Sequence, residues 1–286
     1  MHTLRSIHII WYREILRYWR DKSRIVSSFA FPFIFLFVFG SGLSPAMGGL
    51  TAGLARANLP GGASGGEIDF VKFIFPGIIG MNVLMTSIMS GVSVVWDREF
   101  GFLKEVLVAP ISRAAVVLGK TLGGSTVAVI QGLLMLVFAP FIGVTITVGM
   151  VAQLVPLMFL AAFAMTSLGV LIAARMRSME GFQMIIQFVT FPMIFMSGAL
   201  FPMRDLPAWM NLLVKINPVT YAIDPLRQVV FRSQGLSEAV LGMFPQLGLG
   251  VTVLGHAMTM RDDILIIASF GTAMIGAAVW AFSLQD

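Results

Sequence analysis

Six stretches of this chain, about 25–43, 71–95, 115–140, 150–174, 181–201 and 264–284, are apolar over roughly twenty residues each. A bilayer core about 30 Å thick takes roughly 20 residues of helix to cross. Lipid offers no partner to a backbone N–H or C=O, so such runs must satisfy themselves as α-helix. The expected fold is an all-α integral membrane protein with six transmembrane helices. Composition agrees. The 286 residues are 57% hydrophobic and 12% charged, where a soluble domain carries about 25% charge.

Basic residues give the orientation. Arg5, Arg13, Arg17, Arg20, Lys22 and Arg24 precede span one. Arg98, Lys104 and Arg113 lie between spans two and three, and Arg175 and Arg177 between four and five. The 44–70 loop carries only Arg56, and 141–149 carries no Lys or Arg. The positive-inside rule then places the N-terminus in the cytoplasm, and six spans return the C-terminus there. Residues 236–258 are fairly apolar but interrupted by Pro245 and several glycines, and read as an external or interfacial segment rather than a seventh span.

Other classes fall away. The net charge of +5 comes from 19 Lys and Arg clustered in connectors, with no aromatic-basic recognition motif, so nucleic acid is not an expected partner. There are no cysteines, hence no disulfide, thiolate metal site or cysteine nucleophile. His2, His8 and His256 lie too far apart to read as a metal motif. The first apolar run is too long for the h-region of a signal peptide.

The N-terminal segment 1–24 has helical periodicity. Leu4, Ile7, Trp11, Ile15 and Tyr18 form one stripe, and Arg13, Arg17, Arg20 and Arg24 the opposite face. This pattern predicts an amphipathic helix in the headgroup layer, touching membrane lipids and docking against a cytoplasmic partner.

The segment REFGFLKEVLVAPISRAAVVLGKT, 98–121, is unusually charged for this chain. Its closing GKT suggests a phosphate loop, but that motif needs glycine at position 114, where Ala114 stands. Lys120 is expected to snorkel from the cytoplasmic end of span three. Phe102, Leu103, Val106 and Leu107 recur at helical spacing, and Pro110 stops the helix. The 97–113 loop therefore predicts a short cytoplasmic amphipathic helix.

The run EFGFLKEVLVAPISR with the following VLGK resembles the signature of type-2 ABC exporter permeases, matching at Glu99, Gly101, Leu103, Leu107, Pro110, Ile111, Gly119 and Lys120. Phe102 stands where that family usually has Thr. SGALFPMRDLP at 197–207 and INPVTYAIDPLR at 216–227 resemble the family's external segment after span five. The drug-resistance and the polysaccharide or Nod-factor export branches look nearest. The resemblance implies one permease domain over 1–286, with a coupling helix between spans two and three and an external helical segment at 202–263. It implies a non-enzymatic transport subunit in the cell inner membrane, forming the translocation pathway as a dimer, a homodimer by expectation. Two copies of a separate ABC ATPase would bind ATP and Mg, and this chain would carry no cofactor, metal or catalytic residue. The expected cargo is a hydrophobic or amphiphilic drug, lipid or glycan-type molecule.

Within that picture, Glu99, Lys104, Glu105 and Arg113 are expected to make polar contacts with the ATPase. Leu103, Val106 and Leu107 would fill its groove, while Gly101 and Pro110 bound the helix. Asn82, Met85, Gln183, Gln187, Phe188, Thr190 and Phe195 are candidates for the pathway, or for plain helix packing. Arg204, Asp205, Tyr221, Asp224 and Arg227 would form an external gate or a structural cap. A charge at mid-bilayer costs roughly 2.5–3.5 kcal/mol and tends to mark function; the span centres hold none. This disfavours a proton-coupled carrier, although an ATPase-independent secondary carrier or a membrane scaffold stays the alternative. Gly119 and Gly123, with Gly124, allow close helix approach in span three.

Overall fold

The computed structural model describes residues 2–22, 25–26, 30, 33–34, 38, 70–101, 111–200, 203, 206–235, 250–253 and 256–284. The first expected span, the core of the short helix at 102–110, and Arg204 and Asp205 are among those lying wholly or mostly outside these residues.

Helix α1 spans His2–Arg20 and is amphipathic, as its sequence pattern requires. Tyr18 is buried, whereas Ile9, Tyr12 and Trp19 face outward. Leu4 of the apolar stripe is 75% exposed; the face packed on the bundle includes Ile7, Ile10, Trp11 and Glu14, which meet the glycines of a later helix.

Helix α2 (Phe70–Met89) and helix α3 (Val92–Glu99) form one bent apolar rod. The bend has a local cause. Ser90 Oγ donates to Ser87 O at 2.7 Å, competing with the regular ladder, and Gly91 follows. A side chain at Gly91 would collide with the backbone of Gly169, so the break between the two helices sits at a close backbone approach to a later helix.

Helix α4 (Arg113–Met135) begins at Ser112, whose hydroxyl accepts from Ala115 N. It runs into a 3-10 turn over Leu136–Ile142 that ends at Gly143, φ 72°. Helix α5 (Val148–Arg175), capped by Thr147, is central, packing against α2, α4 and the last helix. Helix α6 is Met179–Phe195. The short helices α7 (Ala208–Ile216) and α8 (Pro218–Ser233) follow. A small hairpin pairs Thr252 with Ala257. Helix α9 (Met260–Ser283) starts from a capping box between Thr259 and Asp262.

Four helical stretches among the described residues are long and apolar enough to cross a membrane: Ile74–Glu99, Arg113–Ile142, Val148–Arg175 and Met260–Ser283. They correspond to expected spans two, three, four and six. The stretch expected as span five is shorter, a helix of 17 residues followed by turns at 196–198. The core forms two clusters, one around Phe75, Ile79, Val83, Ala128 and Met158 and the other around Leu84, Val95, Val117, Met165 and Phe282. Lipid tails are as apolar as these side chains, so close packing rather than escape from water selects the arrangement within the bilayer.

Candidate functional site

The site begins with two glycines. A Cβ on Gly119 would come within 2.7 Å of Ile10 Cβ, and one on Gly123 within 2.7 Å of Glu14 Cβ. The smooth face anticipated on span three thus receives α1. Trp11 Nε1 fastens the contact by donating to Thr126 Oγ1 at 3.0 Å.

This approach carries Glu14 onto Lys120. The Lys120 ammonium lies 3.2 Å from Glu14 Oε1 and 2.6 Å from Asp97 Oδ2, and donates to Ser93 Oγ at 3.1 Å. Arg13 Nη2 reaches the same Asp97 oxygen at 2.8 Å. Two cations and two carboxylates from α1, α3 and α4 therefore close into one neutral network. The snorkelling expected of Lys120 is corrected here: the residue is 3% exposed. Its amine needs no route to water because two acids converge on it. Arg17 completes the rim, its guanidinium 4.4 Å from the centre of the Trp96 ring.

Two further arginines frame the connector between α3 and α4. Arg98 donates to Ala174 O at 2.9 Å and to Met176 O, at the C-terminus of α5. Arg113 donates to Phe282 O at 3.1 Å and Ser283 O at 2.7 Å, at the C-terminus of α9. Helix ends expose unpaired carbonyls and a partial negative charge, which guanidinium forks match in both respects. Arg113, expected to contact the ATPase, is thus held by α9. Glu99 is exposed at the end of α3, and Gly101 has φ 79°, a turn that favours glycine. Leu103, Lys104, Glu105, Val106, Leu107 and Pro110 lie outside the described residues.

At the far end of α9, the three described residues of the expected gate come together on α8. Tyr221, Asp224 and Arg227 are all buried. Tyr221 donates to Lys215 O at 2.6 Å, Arg227 to Gly198 O, and Gln228 to Asp224 Oδ2 at 2.8 Å. Asp263 of α9 is buried as well, and neither of its carboxyl oxygens has a hydrogen-bond partner among the described residues. Burial pushes the Asp224 acid above the ordinary aspartate value, against the opposing pull of Arg227. Burial likewise lowers Arg227 to about 10, which leaves it charged at neutral pH.

The pathway candidates separate by face. On α6, Gln183, Gln187, Phe188 and Phe195 point outward, Phe188 being 81% exposed, while Thr190 points inward and is buried. On α2, Met85 is exposed and Asn82 half-buried.

Sequence reasoning missed the Glu14–Asp97–Lys120 network, although one signal was present. Glu14 falls between Trp11 and Tyr18 on the packed stripe of α1, and a carboxylate on an apolar stripe calls for a partner. Asp263, near the start of the last span, is the corresponding signal at the other end.

Apolar helices of spanning length, small-residue crossings and charge gathered at helix ends define a multi-pass membrane protein. The chain matches the model of the ABC-2 type transporter family over residues 5–231, and it belongs to that family. It is 29% identical to the ycf38 protein of Cyanophora paradoxa, named as a transport permease, over 61% of each chain. It is 25% identical to nodulation protein J of Rhizobium meliloti, over 78% of this chain and 80% of that one. It is also 26% identical to the daunorubicin resistance ABC transporter permease protein DrrB1 of Streptomyces coeruleorubidus, over 68% of each. The chain thus spans 61% of the length of the first of these relatives.

Proposed function

We propose that this chain is the membrane-spanning permease subunit of an ATP-driven exporter. Two copies would form the translocation pathway, and each would engage a separately encoded ABC ATPase that holds ATP and Mg. The family match over 5–231 carries this reading. The two arginine anchors support it: a partner pushing on the 102–110 connector would act close to the ends of both α5 and α9. In this reading the connector is the coupling helix, with Glu99, Lys104 and Glu105 among its polar contacts. The chain resides in the cell inner membrane with both termini cytoplasmic, as the distribution of Lys and Arg suggests. The outer face of α6, bearing Gln183 and Gln187 among Met184, Phe188 and Phe191, would meet the second copy or the cargo. That mixed face suits an amphiphilic molecule of the drug, lipid or glycan type.

The test is co-purification. The tagged chain, extracted from native membranes in mild detergent, should bring down an ABC ATPase in near-equal amount. Leu103→Asp/Leu107→Asp should lose it while still folding and inserting. A folded parent chain that never retains an ATPase would move a secondary carrier or a scaffold ahead.

A further inference from the structure

Beside the ion network, a shallow open cleft of about 650 Å³ runs along the end of α1 next to Asp97 of α3, lined by Arg13, Leu16, Arg17, Arg20, Asp21 and Asp97. Its acids and bases are unequally committed. Asp97 is engaged by Lys120 and Arg13, at 2.6 and 2.8 Å, and Asp21 is likewise not free. Arg17 is held only through its ring contact with Trp96 among the described residues. Stacking occupies the face of a guanidinium and leaves its N–H edge available. Arg20, one turn further along α1, has no hydrogen-bond or ion-pair partner among the described residues. Two guanidiniums one turn apart, with donor edges uncommitted, therefore border a cleft large enough for a small ligand.

The surroundings decide which anion. Tyr12 and Trp19 on α1 are exposed, as aromatic side chains at a lipid interface are, and Leu16 adds an apolar wall. Guanidinium forks match phosphate oxygens in pairs. We propose that this cleft binds the phosphate group of an anionic membrane phospholipid. Arg17 and Arg20 clamp the phosphate, Leu16 contacts the glycerol and upper acyl chain, and the paired Arg13 and Asp97 form the inner wall. The proposal rests on membrane placement alone and is independent of any ATPase partner.

The purified full-length chain, freed of lipid by detergent exchange, is titrated with phosphatidylglycerol, phosphatidylcholine or inorganic phosphate. Melting temperature and retained lipid, counted by native mass spectrometry, are the readouts. Phosphatidylglycerol should raise the melting point and stay bound, and phosphatidylcholine should do neither. Arg17→Gln/Arg20→Gln should weaken phosphatidylglycerol by about tenfold, as loss of paired charge-assisted hydrogen bonds implies, while Lys22→Gln should not. If the double variant fails to fold, Arg20→Gln alone is read, because that side chain has no described intramolecular partner to lose. Equal retention of phosphatidylglycerol by parent and variant overturns the proposal. Inorganic phosphate acting as strongly as the lipid overturns the lipid assignment in favour of a free anion. Variants that keep the lipid but lose a co-purifying ATPase assign the face to a protein partner and also overturn it. None of these outcomes alters what the unsubstituted chain retains in the co-purification test above.

Discussion

Lys120 and Asp97, on helices separated by the connector, meet at 2.6 Å with the lysine almost wholly enclosed. A pair of this kind adds little stability over a well-packed apolar substitute, but removing one partner strands a charge in a poorly solvated place.

Lys120→Met should therefore lower stability by about 3–5 kcal/mol. Asp97→Asn should cost less, because Glu14 still faces the lysine. Combining the two should recover part of the loss, and a double-mutant cycle from denaturation midpoints measures the coupling. Strictly additive losses would show that the pair does not act as a unit.

Gly123→Leu should lift α1 from α4, since even a Cβ there sits 2.7 Å from Glu14 Cβ. The chain has no cysteine, so Ile10→Cys offers a unique thiol at the same seam. Maleimide labelling of that thiol should accelerate on the order of tenfold in the leucine background, equivalent to opening the seam by about 1.4 kcal/mol. An unchanged rate would mean that the seam absorbs the larger side chain.

Asp224 predicts a pH dependence. Its acid is weaker in the fold than the ordinary value of 3.8, chiefly through burial. A carboxyl raised in this way favours the fold fully below its unfolded pKa, and that contribution is lost as pH rises toward the folded value. Asp224→Asn cannot lose the proton. Its melting point should match the parent near pH 4 and climb above it as pH rises to about 8. A constant offset across that range would mean that Asp224 does not titrate in the fold.

Arg113→Gln removes two donors from the end of α9 and should cost about 1.5–3 kcal/mol. Arg113→Lys should recover part of this, because a cation still complements the helix end. Thermal melting of the three proteins distinguishes a cap from a solvent-exposed arginine, whose replacement would change little.

The architecture was legible in the sequence to the extent that it depends on local pattern. Apolar length marked spans two, three, four and six, and charge among apolar residues marked the connector. The smooth face of Gly119 and Gly123 was also legible, but not its partner, since periodicity on one helix carries no address for another. The arginines at 98 and 113 read as topology signals. Their engagement with helix ends more than seventy residues away became visible only once α5 and α9 were packed. Lys120 misled for a similar reason. An isolated lysine near a membrane surface does best by reaching water, and only folding supplies the two acids that make burial preferable.

Helix α9 is closed differently at its two ends. Its start is capped by its own residues, Thr259 and Asp262, whereas its last carbonyls are gripped by Arg113 of α4. A cap made within one helix travels with it, so sliding along the axis would leave the cap intact and break both Arg113 bonds. The arginine is thus an anchor that fixes the axial position of α9.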